Sequence, residues 1–176
     1  MKLNPVHILR WLIVGSAAII LSACATVQPE KMGLGEMREY TITVQNTLAK
    51  ERFASLLIVG DADDSKIWVG PYVSAEAHTQ FTTGNPSPLA GRLGGEQAQP
   101  GRIPVGGELT FKFHTKARTA RITAMVHPDF TPDNYVTALI QLDKPGVTPL
   151  ERFDIGDDEK RKTVVKVGPA GKVMLR

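Results

Sequence analysis

The strongest constraint on this chain is a two-residue rhythm of apolar and polar side chains that returns in short segments. Tyr40, Ile42 and Val44 alternate with Thr41, Thr43 and Gln45, and Leu109, Phe111 and Phe113 alternate with Thr110, Lys112 and His114. Successive side chains of a strand point to opposite faces, so the rhythm describes strands that bury one face and wet the other. The chain holds a single cysteine. No disulfide within it can brace the fold, and packing between such faces must hold it together.

Further strands are expected at residues 53–59, 67–69, 120–126 and 135–142. The segment 53–59 is nearly all apolar and reads as buried on both faces. A closing hairpin is expected from 163–167 and 172–175, with Gly168-Pro169-Ala170-Gly171 as its turn. Ser74 is placed to cap a short helical turn through Ala75, Glu76, Ala77 and His78, and Ser87-Pro88-Leu89-Ala90 to open a second. Gly84-Asn85-Pro86 separates the two, and the Gly- and Pro-rich residues 91–107 read as a long loop. Many short strands, one or two short helical insertions and no internal repeat predict an all-β chain, an antiparallel β-sandwich. A length of 176 residues suits one such domain.

Ahead of it stands a leader. Lys2, His7 and Arg10 precede an apolar stretch over residues 11–21, too short for a hydrocarbon core that needs about 20 residues. The stretch ends in Leu21-Ser22-Ala23-Cys24, which resembles the lipobox of bacterial lipoproteins. That resemblance implies cleavage before Cys24 and a diacylglyceryl group joined to its thiol as a thioether. Two or three acyl chains anchor firmly where one binds marginally, at about 0.8 kcal/mol per buried methylene. In double-membrane bacteria the residue after the cysteine influences sorting, and Ala25 is not the aspartate that favours the inner membrane. The expectation is a chain held to the outer membrane, periplasmic side, with a leader at 1–23, a flexible tether at 24–37 and a domain at 38–176. The competing reading is an ordinary secretory signal with an incidental cysteine.

The net charge of +3 points less to nucleic acid than it first suggests. Lys2 and Arg10 belong to the leader, which leaves 19 of the 21 basic side chains against 18 acidic ones. A near-neutral domain has no electrostatic footprint for a phosphate backbone, so no nucleic-acid partner is expected. The densest basic run, Lys160-Arg161-Lys162, directly follows Asp157-Asp158-Glu159 and reads as a self-neutralising surface turn.

The order of Tyr40-Thr41-Ile42-Thr43-Val44-Gln45-Asn46 and Phe53-Ala54-Ser55-Leu56-Leu57-Ile58-Val59 resembles the opening of the spondin-type (spondin N-terminal) domain. The likeness continues through Asn85-Pro86-Ser87-Pro88-Leu89-Ala90, then Pro104-Val105-Gly106-Gly107-Glu108-Leu109-Thr110-Phe111, then Met125-Val126-His127-Pro128 and Asp133-Asn134-Tyr135-Val136. It covers about residues 38–142. The resemblance implies a two-layer antiparallel sandwich, a binding or adhesive role and a calcium ion held by loop carboxylates at one end. The chain departs from the bacterial pattern where Thr137-Ala138 follows Val136 in place of Gly-Leu-Asp or Gly-Leu-Asn, and so lacks one carboxylate of that stretch.

Asp129 and Asp133 share one expected loop at a strand junction and are the candidate calcium ligands; the alternative is that they shape turns around Pro128 and Pro132. Asp61, Asp63 and Asp64 begin like a calcium loop, but Ser65 and Lys66 break the pattern, which leaves a solvated turn. His78, His114 and His127 have no metal-ligand spacing and read as solvent or turn positions. Trp68 and Tyr72, beside Gly70-Pro71, either offer a stacking surface for a sugar or place the indole in the core. No Gly-x-Ser-x-Gly elbow is present, and the only thiol is the lipidation site. The sequence therefore predicts a non-catalytic module that binds an envelope protein or glycan. The alternatives are a metal-dependent or carboxylate-based envelope hydrolase and a structural component of an envelope complex.

Overall fold

The computed structural model describes residues 35–127, 134–156 and 164–176. The expected all-β fold is present as one antiparallel sheet rolled on itself, nearly a barrel, with two short helices outside it. The first strand, β1 (Arg38–Asn46), pairs on one side with β7 (Glu108–Thr115) and on the other with β11 (Val165–Leu175). From β11 the sheet continues through β10 (Gly146–Asp154), β9 (Asn134–Gln141) and β8 (Thr119–His127) to β3 (Leu57–Gly60) and the two-residue β6 (Gln97–Ala98). The equally short β2 (Arg52–Phe53) joins the far end of β8.

Rolling brings the two ends of the sheet around one core. Ile42 and Val44 of β1 and Phe113 of β7 share a cluster with Ile58 of β3, Ile122 of β8 and Val136 of β9. All are almost wholly buried. The strand β3 is covered on both sides, because Leu56 and Ile58 face this inner core while Leu57 and Val59 face outward into a second one. That double burial accounts for its unbroken apolar run.

The second core lies between the outer face of β3, β8 and β9 and the helices α1 (Ala75–Thr83) and α2 (Ser87–Leu93). Ser74 caps α1, its hydroxyl accepting from the Ala77 amide at 3.3 Å. Gly84 closes the helix in the left-handed region at φ 72, where an added Cβ would also stand 2.9 Å from that of Ala54. Ala77 and Phe81 of α1 and Leu89 of α2 reach inward. Gln80 is buried among them, its amide donating to the Thr123 carbonyl at 3.3 Å and accepting from the Thr123 hydroxyl at 3.0 Å. A buried amide so paired avoids the desolvation penalty that an unpaired one carries.

Three expected elements are corrected: the strand expected at 53–59 is two, β2 and β3, interrupted at 54–56; the loop expected at 91–107 carries the end of α2 and the strand β6; and the closing hairpin is absent. Gly168-Pro169-Ala170-Gly171 is not a hairpin turn, because β11 runs through it without a break. Strand β10, for which no expectation was formed, pairs along it, and register shifts at Leu150/Glu151 and Arg152/Phe153 absorb the irregular residues as bulges. Gly171 is required for a different reason than a turn. A Cβ there would lie 2.0 Å from the Gln45 carbonyl oxygen of β1, so only glycine lets the two strands pair.

Candidate functional site

Cross-strand register assembles the site. Thr137 of β9 lies opposite Thr123 of β8 and opposite Glu151 of β10, and Tyr135 lies opposite Phe153. Residues two apart share a face, so Arg121, Tyr135, Thr137, Glu151 and Phe153 all stand on the outer side of the sheet, away from Ile122 and Val136. Beyond the reach of the helices this face is roofed by a small hairpin, β4 (Trp68–Val69) and β5 (Tyr72–Val73), which turns through Gly70-Pro71. The Pro71 carbonyl accepts from the Val164 amide at 2.8 Å and the Ile67 carbonyl from the Ser74 amide at 2.8 Å, which pins the hairpin at both ends.

Under the hairpin lies a pocket of about 390 Å³. Trp68, Tyr135, Phe153 and Val164 give it apolar walls, and Arg121 and Thr137 are its polar groups. Ligand sites typically combine these features: an apolar concavity, a few placed polar groups and a volume of roughly 300–1,000 Å³.

Each wall is held by the next. Tyr135 is completely buried, stacked on Phe81 at 3.8 Å between ring centres and on Phe153 at 5.5 Å. The Trp68 indole N–H donates to the Tyr135 hydroxyl at 2.7 Å, and the Arg121 guanidinium sits 5.1 Å above the Trp68 ring. Arg121 in turn donates from Nε to Asp64 Oδ1 at 3.0 Å and from Nη2 to Oδ2, a two-pronged pair in which the arginine side chain is 12 % exposed. Burial pushes the Tyr135 phenol well above its ordinary pKa, against the smaller opposing effects of the Trp68 hydrogen bond and the Arg121 charge. It keeps its proton at neutral pH and serves as wall and hydrogen-bond acceptor, not as a base.

Of the residues singled out in the sequence, Trp68 is in the pocket wall, whereas Tyr72, 42 % exposed, lies outside the lining. Cys24, Asp129, Asp133 and the basic run at 160–162 lie outside the described residues. The three aspartates at 61–64 do more than make a solvated turn. Asp61 Oδ1 accepts from the Arg118 and Thr119 amides at 3.1 and 3.0 Å, and Asp64 holds Arg121. Asp63 caps the 3-10 turn at Asp64–Lys66, and the hydroxyl and amide of Ser65 hold its carboxyl below the usual range. His114 meets Glu39 at 2.9 Å on β7, His127 meets Arg52 at 3.2 Å at the far end of β8, and His78 lies on α1. Among the described residues no three metal-binding side chains come together, and no helix is long and apolar enough to cross a membrane.

Arg121, Tyr135, Thr137 and Phe153 in the lining, and Asp64 behind Arg121, were missed as site residues. For Arg121, Tyr135 and Thr137 the one sequence signal is the alternate face of strands 120–126 and 135–142, where polar groups fall among mostly apolar residues; Asp64 reads as part of a solvated turn, and Phe153 lies in a strand without a clean rhythm. No protein-family model and no curated protein sequence matches this chain.

Proposed function

We propose that this chain is a bacterial lipoprotein, anchored through acyl groups on Cys24 to the periplasmic side of the outer membrane, whose spondin-like domain is a non-catalytic binding module. The aromatic-walled pocket roofed by Trp68 carries the binding reading. Asp64 holds Arg121 and Tyr135 holds Trp68, so these walls are fixed before any ligand arrives. Preorganised walls reduce the ordering cost of association, which is what a receptor needs. The leader and the Leu21-Ser22-Ala23-Cys24 motif support the anchor. The partner class is an envelope glycan or protein.

Growth with a labelled fatty acid tests the anchor. Label should appear on the native protein and vanish in Cys24→Ser, whereas an intact leader found by mass spectrometry removes the lipoprotein reading. For the pocket, full-length protein in detergent is titrated with fractionated envelope saccharides and envelope proteins while Trp68 fluorescence is followed. A saturable change lost in Phe153→Ala supports the module. Chemical turnover of any fraction overturns the non-catalytic reading.

A further inference from the structure

The inner face of β10 changes from carbon to charge at Arg152. Leu150, two residues earlier on the same strand, and Val136, directly across on β9, are both fully buried in the inner core. Arg152 therefore points into the barrel as they do, at the end where β9 starts. A guanidinium on a core-facing position needs oxygen atoms around its charge. Its Nε donates to Asn134 Oδ1 at 2.8 Å and its Nη1 to Glu51 Oε1 at 3.1 Å. The Arg152 and Glu51 side chains are only 14 % and 18 % exposed.

Asn46, at the end of β1, extends this network. Its amide donates to the Glu51 carbonyl at 2.8 Å and to the Pro104 carbonyl at 3.1 Å, and accepts from the Leu48 amide at 2.9 Å. Asn46 and Asn134 are both buried. The end of β1, the loop into β2, the turn before β7 and the strands β9 and β10 thus meet through one connected set of polar groups.

We infer that Arg152 is a built-in cation: it holds this end of the barrel with the chain's own charge, and the end does not depend on a bound metal ion. Asn134 directly follows Asp133, one of the two candidate calcium ligands. A calcium site gathers oxygen atoms onto a positive centre. The described side-chain oxygens at this end, Asn134 Oδ1 and Glu51 Oε1, are turned onto a guanidinium instead, so they do not fit as calcium ligands. A divalent ion brought beside them meets a like charge that two hydrogen bonds hold in place. Arginine suits the position because its planar fork reaches two acceptors at once and keeps its proton at any physiological pH. The pocket lies on the outer face of the same strands, and its ligand plays no part here.

Thermal unfolding of the full-length protein in detergent, followed by circular dichroism, tests this in millimolar calcium and in excess chelator. Wild type should melt at the same temperature in both. Arg152→Met keeps an unbranched stem, strands the Glu51 carboxylate and should lower the midpoint by roughly 10 °C. Removing that carboxylate as well, in Arg152→Met/Glu51→Gln, should restore about half of the loss, a recovery that a packing defect alone does not give. Arg152→Lys keeps the charge without the fork and should lose clearly less than Arg152→Met, which keeps the comparison open where the methionine variant is too unstable to melt. A wild-type midpoint raised by calcium and lowered again by chelator overturns the inference. So does an Arg152→Met midpoint equal to that of wild type, or a double variant no more stable than Arg152→Met.

Discussion

Inside the rolled sheet, Phe53, Ile58, Ile122 and Val136 present nothing but carbon to one another. Across the same strands, a few ångströms away, Tyr135, Gln80, Thr123 and Arg121 fill the outer layer with polar atoms, each tied to a named partner. The inner region is held by apolar burial, which is non-directional and tolerates any well-shaped hydrocarbon. Hydrogen bonds and ring stacking hold the outer one, and these fix orientation. The difference teaches where to look for function in a fold like this: the layer that constrains direction is the one that can present a shaped surface.

Breaking the inner region should therefore cost most. Phe53→Ala removes a fully buried ring and is expected to destabilise by about 3–5 kcal/mol, with thermal unfolding as the measurement. If its loss matched only a surface change, the inner core would not be the main source of stability. Gly171→Ala forces a methyl onto the Gln45 carbonyl at 2.0 Å and is expected to cost about 3 kcal/mol, the upper end of overpacking effects. A chemical denaturation midpoint unchanged by this substitution would show that β1 and β11 pair more loosely than described.

The outer region should respond less in stability and more in geometry. Tyr135→Phe leaves the Trp68 N–H without its acceptor and is expected to cost about 2 kcal/mol, with a shift in Trp68 emission. The same substitution has a pH signature. Because the folded phenol's pKa is raised, its contribution to stability is complete below the unfolded value of about 10 and is lost as pH rises towards the folded one. Wild-type protein should lose stability above about pH 10 more steeply than Tyr135→Phe; parallel curves would refute the burial of this hydroxyl. Asp64→Asn weakens a pair whose acid is 45 % exposed and should cost about 1 kcal/mol. Ligand affinity should fall further than stability does, since Arg121 then loses its fixed position.

Alternation at residues 40–45 and 109–114 was enough to place β1 and β7, and the apolar run at 53–59 to foresee burial on both faces, although the run is divided between β2 and β3. Ser74 and Gly84 announced α1 through cap chemistry that acts within a few residues. Those signals are local, and local sequence carries them. Strand β10 stayed invisible because Thr148-Pro149-Leu150-Glu151 lacks a clean rhythm, and the bulges that accommodate it exist only against β11. The Gly168–Gly171 stretch imitates a turn for the same reason: glycine marks either a bend or a close approach, and only the neighbouring Gln45 carbonyl distinguishes them.

The amino-acid order alone determined that this protein would be all-β. It also marked Trp68 and Tyr72 as either a stacking surface or, for the indole, a core position. Only the tertiary structure decided that Trp68 would wall a pocket, since its partner Tyr135 lies 67 positions away and Asp64 lies 57 from Arg121. Such pairings arise from strand register and from the roll of the sheet. Both are settled by the summed burial of many side chains, so no short stretch of sequence records them.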